Sequence, residues 1–183
     1  MPRYDTLEAV RGISFRIEEG ESVAFLGLNG AGKSTTIKML TGIMKPSEGT
    51  VKIMGKDPFT NRIENARRIG VVFGQKSQLW WDIPVIESFR LLKNIYGIPK
   101  RQYERNMEKF GEILGIHEFL SQPARKLSLG QRVRADLAAS LLHEPPVLFL
   151  DEPTIGVDVT AKQKIYAFLK EINREKKTTI LLT

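Results

Sequence analysis

The chain has 183 residues, 42% hydrophobic and 27% charged, with no cysteine and a formal net charge of +7. That length suits a single domain able to bury about 70% of its unfolded surface. The missing cysteines exclude a disulfide framework and thiolate chemistry, and no apolar run approaches the ~20 residues that a membrane-spanning helix needs. The basic residues are scattered with acids between them, as in "RIENARRIG", "IPKRQYERNMEK" and "INREKKTT". This is the pattern of solvated faces rather than of a clustered, aromatic-laced nucleic-acid footprint, so no nucleic-acid partner is expected. The opening "MPRYDTLEAV" has no continuous apolar segment of the kind a signal peptide carries, and cytoplasmic residence is the expectation.

In chain order, "GISFRI" and "ESVAFLG" read as short strands, followed by a glycine-rich loop and the helical stretch "KSTTIKMLTG", closed by Gly42. "KPSEG" is turn chemistry ahead of a strand "TVKIM", and "RRIGVVFG" reads as a buried strand. From about Val85 to Leu142 the period becomes helical. Tyr103, Met107, Phe110 and Leu114 share one helix face, as do Val133, Leu137 and Leu141 further on. "PVLFLDEP" is then a strand, and "TAKQKIYAFLKEINREKK" a helix with Ile165, Phe168, Leu169 and Ile172 turned inward. "TTILL" closes the chain as a core strand. Alternating strands and helices imply a largely parallel sheet covered on both faces, with a helical insertion near residues 85–142. Both ends read as cut through a domain, which makes the chain a fragment in this reading.

"GLNGAGKST" (Gly27, Leu28, Asn29, Gly30, Ala31, Gly32, Lys33, Ser34 and Thr35) has the spacing of a P-loop, and it lies between a strand and a helix. The three glycines allow consecutive backbone amides to turn toward one anion, at a helix N-terminus that already favours negative charge. Lys33 would reach the β- and γ-phosphates of a nucleoside triphosphate, and the Ser34 hydroxyl would bind Mg²⁺.

"VLFLDEP" ends a buried strand on two adjacent acids. Such a pair is costly unless a cation waits for it. Asp151 would hold Mg²⁺, directly or through water, and Glu152 would orient and deprotonate the attacking water. Gln75, at the end of "RIGVVFGQ", can contact both Mg²⁺ and water, and Gln78 competes for that role.

The order P-loop, strand-end glutamine, "LSLGQ", then "LFLDEPTIGVD" resembles the ATP-binding subunits of ABC proteins over essentially the whole chain. The resemblance implies an α/β fold: a P-loop NTPase with a mostly parallel core sheet, an N-terminal antiparallel β part and a helical subdomain. The core would span 1–84 and 143–183, and the helical subdomain about 85–142. It implies Mg-dependent ATP hydrolysis catalysed by Glu152 and Gln75, with Mg²⁺ on Ser34, Gln75 and Asp151. Ser128, Gly130 and Gln131 would cap an ATP held by a second ATPase subunit packed head to tail, either a copy or a related chain. Tyr4 matches the aromatic that stacks on adenine, and Asp158 the acid that couples the two sites, although Asp158 could equally cap the helix beginning near Thr160.

Leu129 stands where the family's signature usually has glycine. The switch histidine that follows the last strand in the family has no counterpart here: His117 and His143 do not fit the place, and His143 reads as a helix-end cap. The expectation is a chain that binds Mg-ATP but turns it over poorly. The wording around "GQKSQLWWDIPVIESF" and "LSLGQR" looks most like exporter-type ATPases working with a separate permease, peripheral on the cytoplasmic face of the membrane. Trp80 and Trp81 would line the groove for the permease or fill the helical core. The alternative is a soluble ABC ATPase of ribosomes or DNA repair.

Overall fold

The computed structural model describes residues 8–74 and 76–183 of the chain. Among these, the centre is a parallel sheet of β1 (Ser22–Ala24), β2 (Ile69–Phe73), β3 (Val147–Asp151) and β4 (Thr179–Leu182), in the order β1-β4-β3-β2. The helices are α1 (Lys33–Leu40), α2 (Arg62–Arg68), α3 (Val85–Ile95), α4 (Lys100–Leu114), α5 (Leu129–Leu141) and α6 (Val159–Lys176).

The two faces of the sheet follow from its period of two. Val72, Leu148, Leu150 and Ile180 point into one apolar cluster, whereas Ile69, Phe149 and Leu181 point into another. The smaller cluster is covered by Ile37 of α1. The larger one takes in α3 to α6, where Phe89, Phe110, Phe119 and Phe168 are fully buried. Phe110 and Phe168 meet edge to face at 5.4 Å, joining α4 to α6, and Lys109 bridges the same helices by ion pairs to Glu171 and Glu175. Each buried aromatic contributes on the order of 2–3 kcal/mol.

The helical faces read from the sequence are the buried ones, apart from Tyr103, which is only partly buried against the core. Met107, Phe110 and Leu114 of α4, Val133, Leu137 and Leu141 of α5, and Ile165, Phe168, Leu169 and Ile172 of α6 all lie in the core. The antiparallel part does not form among the described residues. "GISFRI" forms no strand, and "TVKIM" contributes only an isolated antiparallel bridge between Ile53 and Lys56. Among the described residues no other backbone pairs with "GISFRI": Ile13 and Phe15 are about half exposed, and β-branched composition without a neighbouring backbone closes no ladder.

The topology brings the C-terminal ends of β1, β3 and β4 together, where ligands bind in open parallel sheets. β1 leads into the glycine-rich loop and α1, β3 ends at Asp151, and β4 ends one residue before Thr183. No helix of the described residues is long and apolar enough to cross a membrane.

Candidate nucleotide site

The loop after β1 is an open cradle. Gly27, Leu28, Asn29 and Gly30 are exposed, and Leu28 keeps 85% of its surface in solvent. Lys33 folds back over it, its ammonium donating to the carbonyls of Gly27 and Leu28 at 2.9 Å each. Gly32 caps α1 in the left-handed region (φ 84°), and a Cβ there would lie 2.4 Å from the Ala9 carbonyl oxygen. Both the angle and the crowding demand glycine. The free amides at the start of α1 and its dipole face the space above the loop.

In the first turn of α1, the Ser34 hydroxyl donates to Asp151 Oδ1 at 3.0 Å. The Thr183 hydroxyl donates to the same oxygen at 3.1 Å, and accepts from the Glu152 amide at 2.9 Å. Thr183 was not singled out in the sequence. Its signal is its position, because its amide bonds to the Leu150 carbonyl and so sets its side chain level with the acid pair. This cluster of hard oxygens on a carboxylate, beside a phosphate cradle, has the donor chemistry that suits Mg²⁺. Among the described residues no group of three or more His, Cys, Asp or Glu converges as a self-sufficient metal cage.

Glu152 occupies the left-handed region with φ 51°, uncommon for a non-glycine residue. Its amide is held by Thr183, while its carboxylate makes no hydrogen bond or ion pair among the described residues. The turn after β3 thus sends two adjacent carboxylates in different directions, one into the Ser34–Thr183 cluster and one free.

Ser128 is the N-cap of α5 and forms a reciprocal capping box with Gln131. The Gln131 amide donates to Ser128 Oγ at 3.2 Å, and the Ser128 amide donates to Gln131 Oε1 at 2.9 Å. Gly130 is buried against the start of α6, where an added Cβ would lie 3.2 Å from Asp158 Oδ2 and 3.3 Å from the Ala161 Cβ. Asp158 caps α6 by accepting from the Ala161 amide at 2.9 Å. The cap anticipated for Asp158 is therefore real. Leu129 remains 40% exposed, with its Cδ2 over Gly156. The structure brings Ser128, Gly130, Gln131 and Asp158 together at the paired N-termini of α5 and α6. Among the described residues, no hydrogen bond or ion pair ties that corner to Lys33 or Ser34.

Tyr4 and Gln75 lie outside the described residues. Gln78 is not free to take the role considered for it, since its side-chain amide donates to the Asp136 carbonyl at 2.7 Å. Trp80 and Trp81 are 41% and 48% exposed and do not fill the core. His143 caps no helix: its Nε2 meets the Ile69 carbonyl at 3.1 Å and its ring stacks on Tyr96 at 4.0 Å.

The family model described as ABC transporter matches residues 10–155. The ABC transporter ATP-binding protein NatA of Bacillus subtilis (strain 168) is 32% identical over 174 residues, 95% of this chain and 71% of NatA. The Nod factor export ATP-binding protein I of Ralstonia nicotianae is 35% identical over 182 residues, 99% of this chain but 56% of that protein. The chain therefore spans only part of each. Among solved structures, an ATP-binding subunit of an ABC transporter superposes with a TM-score of 0.86 at 28% identity, covering 96% of this chain and 72% of that one. A dimeric ATP-binding cassette in a post-hydrolysis state, bound to ADP and phosphate, superposes with a TM-score of 0.81 at 28% identity, covering 95% and 78%.

Proposed function

The chain belongs to the ABC transporter family, as one of its nucleotide-binding ATPase domains, and from that premise we propose that it drives a membrane permease by closing on ATP as a head-to-tail dimer. The observation that carries this reading is the convergence of Ser34, Thr183 and Asp151 beside the Lys33 cradle, with the Glu152 carboxylate unpaired among the described residues at the same strand end.

In this mechanism the amides from Gly27 to Gly32, with Lys33, hold the β- and γ-phosphates, and the helix dipole of α1 offsets their charge. Thr35 follows Ser34 in the first turn of α1, and Tyr4 stacks on the adenine. Ser34, Asp151 and Gln75 would hold Mg²⁺, which when bound neutralises charge developing on the phosphates. Glu152 accepts a proton from the attacking water, and Gln75 orients that water. Ser128, the Gly130 amide and Gln131 close over the γ-phosphate held by the other subunit, and Asp158 carries contact from one site to the other. The nucleotide thus sits between a core (1–84 and 143–183) and the helical subdomain (85–142) of the facing copy. Hydrolysis removes the γ-phosphate that bridges the halves, and the dimer reopens. Differential binding of this kind is what a ligand-driven switch requires.

The permease would recruit the subunit to the cytoplasmic face of the membrane. A relative named for Nod factor export and 35% identical supports the exporter form. The test is to tag the full-length protein in its host, solubilise the membranes in mild detergent and identify what co-purifies. A polytopic membrane protein in roughly equal amount is the expected result. Ribosomal proteins or DNA with no membrane protein would overturn the transporter reading and leave the ATPase standing.

A further inference from the structure

The segment that follows Gln75 lies as a strap along α5, the helix capped by Ser128. Asp136, in the middle of α5 and only 5% exposed, is its anchor. Its Oδ1 accepts from the Ser77 hydroxyl and from the Gln78 amide, both at 2.9 Å. Gln78 returns a bond from its side-chain amide to the Asp136 carbonyl at 2.7 Å. One turn earlier on the same face of α5, Arg132 lies over the Trp81 ring, 4.6 Å from its centroid. Before α5 begins, Arg125 pairs with Asp82 at 3.3 Å, and its amide bonds the Trp81 carbonyl. Residues 77, 78, 81 and 82 thus meet 136, 132 and 125 in reverse order. The strap runs from the residue next to Gln75 toward the end of α5 that carries Ser128.

A buried carboxylate has to be satisfied by its neighbours. Here the two donors on Oδ1 both come from the strap, and Arg132 acts on it through space. Asp136 therefore ties two parts of the chain 58 and 59 residues apart, each next to a group assigned to a different ATP. Gln75 belongs to the site of its own chain, and Ser128 to the site of the facing copy.

We propose that Asp136 is a positioning residue that couples the strap of residues 77–82 to the signature corner at Ser128, so that the state of one ATP site sets how α5 presents Ser128 and Gly130 to the other. This rests on the sandwich reading above. Asp136 does not touch nucleotide. It acts by holding the strap and α5 as one body, so that a displacement at residue 76 moves the N-terminus of α5.

The test uses the full-length protein with Asp136→Ala, Asp136→Asn, Ser77→Ala and the Ser77→Ala/Asp136→Ala pair. Nucleotide binding to the monomer, ATP-driven dimer formation, kcat and KM are each measured. Asp136→Ala is expected to bind Mg-ATP within about twofold of wild type, while kcat and dimer affinity fall at least tenfold. Asp136→Asn, whose amide oxygen can accept both donors, should recover most of that loss. The double variant should be no worse than Asp136→Ala alone, because both changes cut one connection. Ser77→Ala alone keeps the question open to measurement if Asp136→Ala does not fold. Unchanged kcat in both single variants, additive losses in the pair, or nucleotide binding lost in step with turnover would each overturn the coupling. Wild-type protein that binds ATP without dimerising would instead overturn the sandwich reading on which it depends.

Discussion

Ser34 and Asp151 stand 117 residues apart in the chain, yet the hydroxyl of one donates to the carboxylate of the other at 3.0 Å. The parallel pairing of β3 with β4, and of β4 with β1, creates this contact, because it aligns the strand that carries the acid with the strand that feeds the P-loop. Ser34→Ala removes one hydrogen bond worth about 1 kcal/mol, so the fold should survive. If the pair holds Mg²⁺, the concentration needed for half-maximal ATPase should rise at least tenfold in Ser34→Ala and in Asp151→Asn. Titration of Mg²⁺ at saturating ATP checks this.

Glu152 combines a carboxylate unpaired among the described residues with a left-handed backbone, at a strain of about 1 kcal/mol or more. Glu152→Gly relieves the backbone and removes the side chain. Its unfolding free energy should equal that of wild type within about 1 kcal/mol, since the relieved strain offsets the extra freedom of the unfolded chain. Turnover should fall by ~10²–10⁴. Glu152→Ala should lose the same activity and be the less stable of the two. Urea denaturation with parallel ATPase assays tests both.

Gly156, at φ 73°, lies under Leu129, whose Cδ2 would come within 2.9 Å of an added Cβ. Gly156→Ala should cost about 1–2 kcal/mol, mostly from the backbone angle. Adding Leu129→Ala should recover only the part due to the contact. A double-mutant cycle of unfolding free energies separates the two contributions.

His143 is held at about 4, below its ordinary value of 6.5, chiefly by burial, with the Ile69 carbonyl acting the other way. Its folded form therefore binds fewer protons than the unfolded chain between those values, and the stability it contributes is present above pH 6.5 and lost as pH falls toward 4. Asp136 opposes it: burial raises that carboxyl to about 6, so folding is favoured as pH falls below 6. The comparison must therefore be with a variant rather than with wild type alone. His143→Phe keeps a ring against Tyr96, and between pH 7 and pH 5 wild type should lose on the order of 2 kcal/mol relative to it.

The sequence made the core helices legible because their apolar faces recur at helical spacing, as in Met107, Phe110 and Leu114. It made the P-loop and acid pair legible because each is contiguous. The Ser77–Asp136 and Thr183–Asp151 contacts were hidden, since a hydroxyl in a loop or at a strand end has no period, and its partner is chosen by the fold. Of the expected N-terminal strands "ESVAFLG" forms as β1, whereas "GISFRI" fails for a related reason. β-branched composition at residues 12–17 records a preference for extended backbone, but a ladder needs a second strand beside it. Gln131 carries a meaning that family resemblance passed over, closing the capping box on Ser128 and so fixing the geometry of the signature corner before any nucleotide arrives.

The central claim is that two copies close on ATP. The most direct measurement is the molar mass in solution, by light scattering after size exclusion, of full-length Glu152→Gln with and without saturating Mg-ATP. The account predicts a monomer without nucleotide and a lasting dimer with it, abolished by Lys33→Ala. A monomer under saturating Mg-ATP, with nucleotide bound, would contradict it.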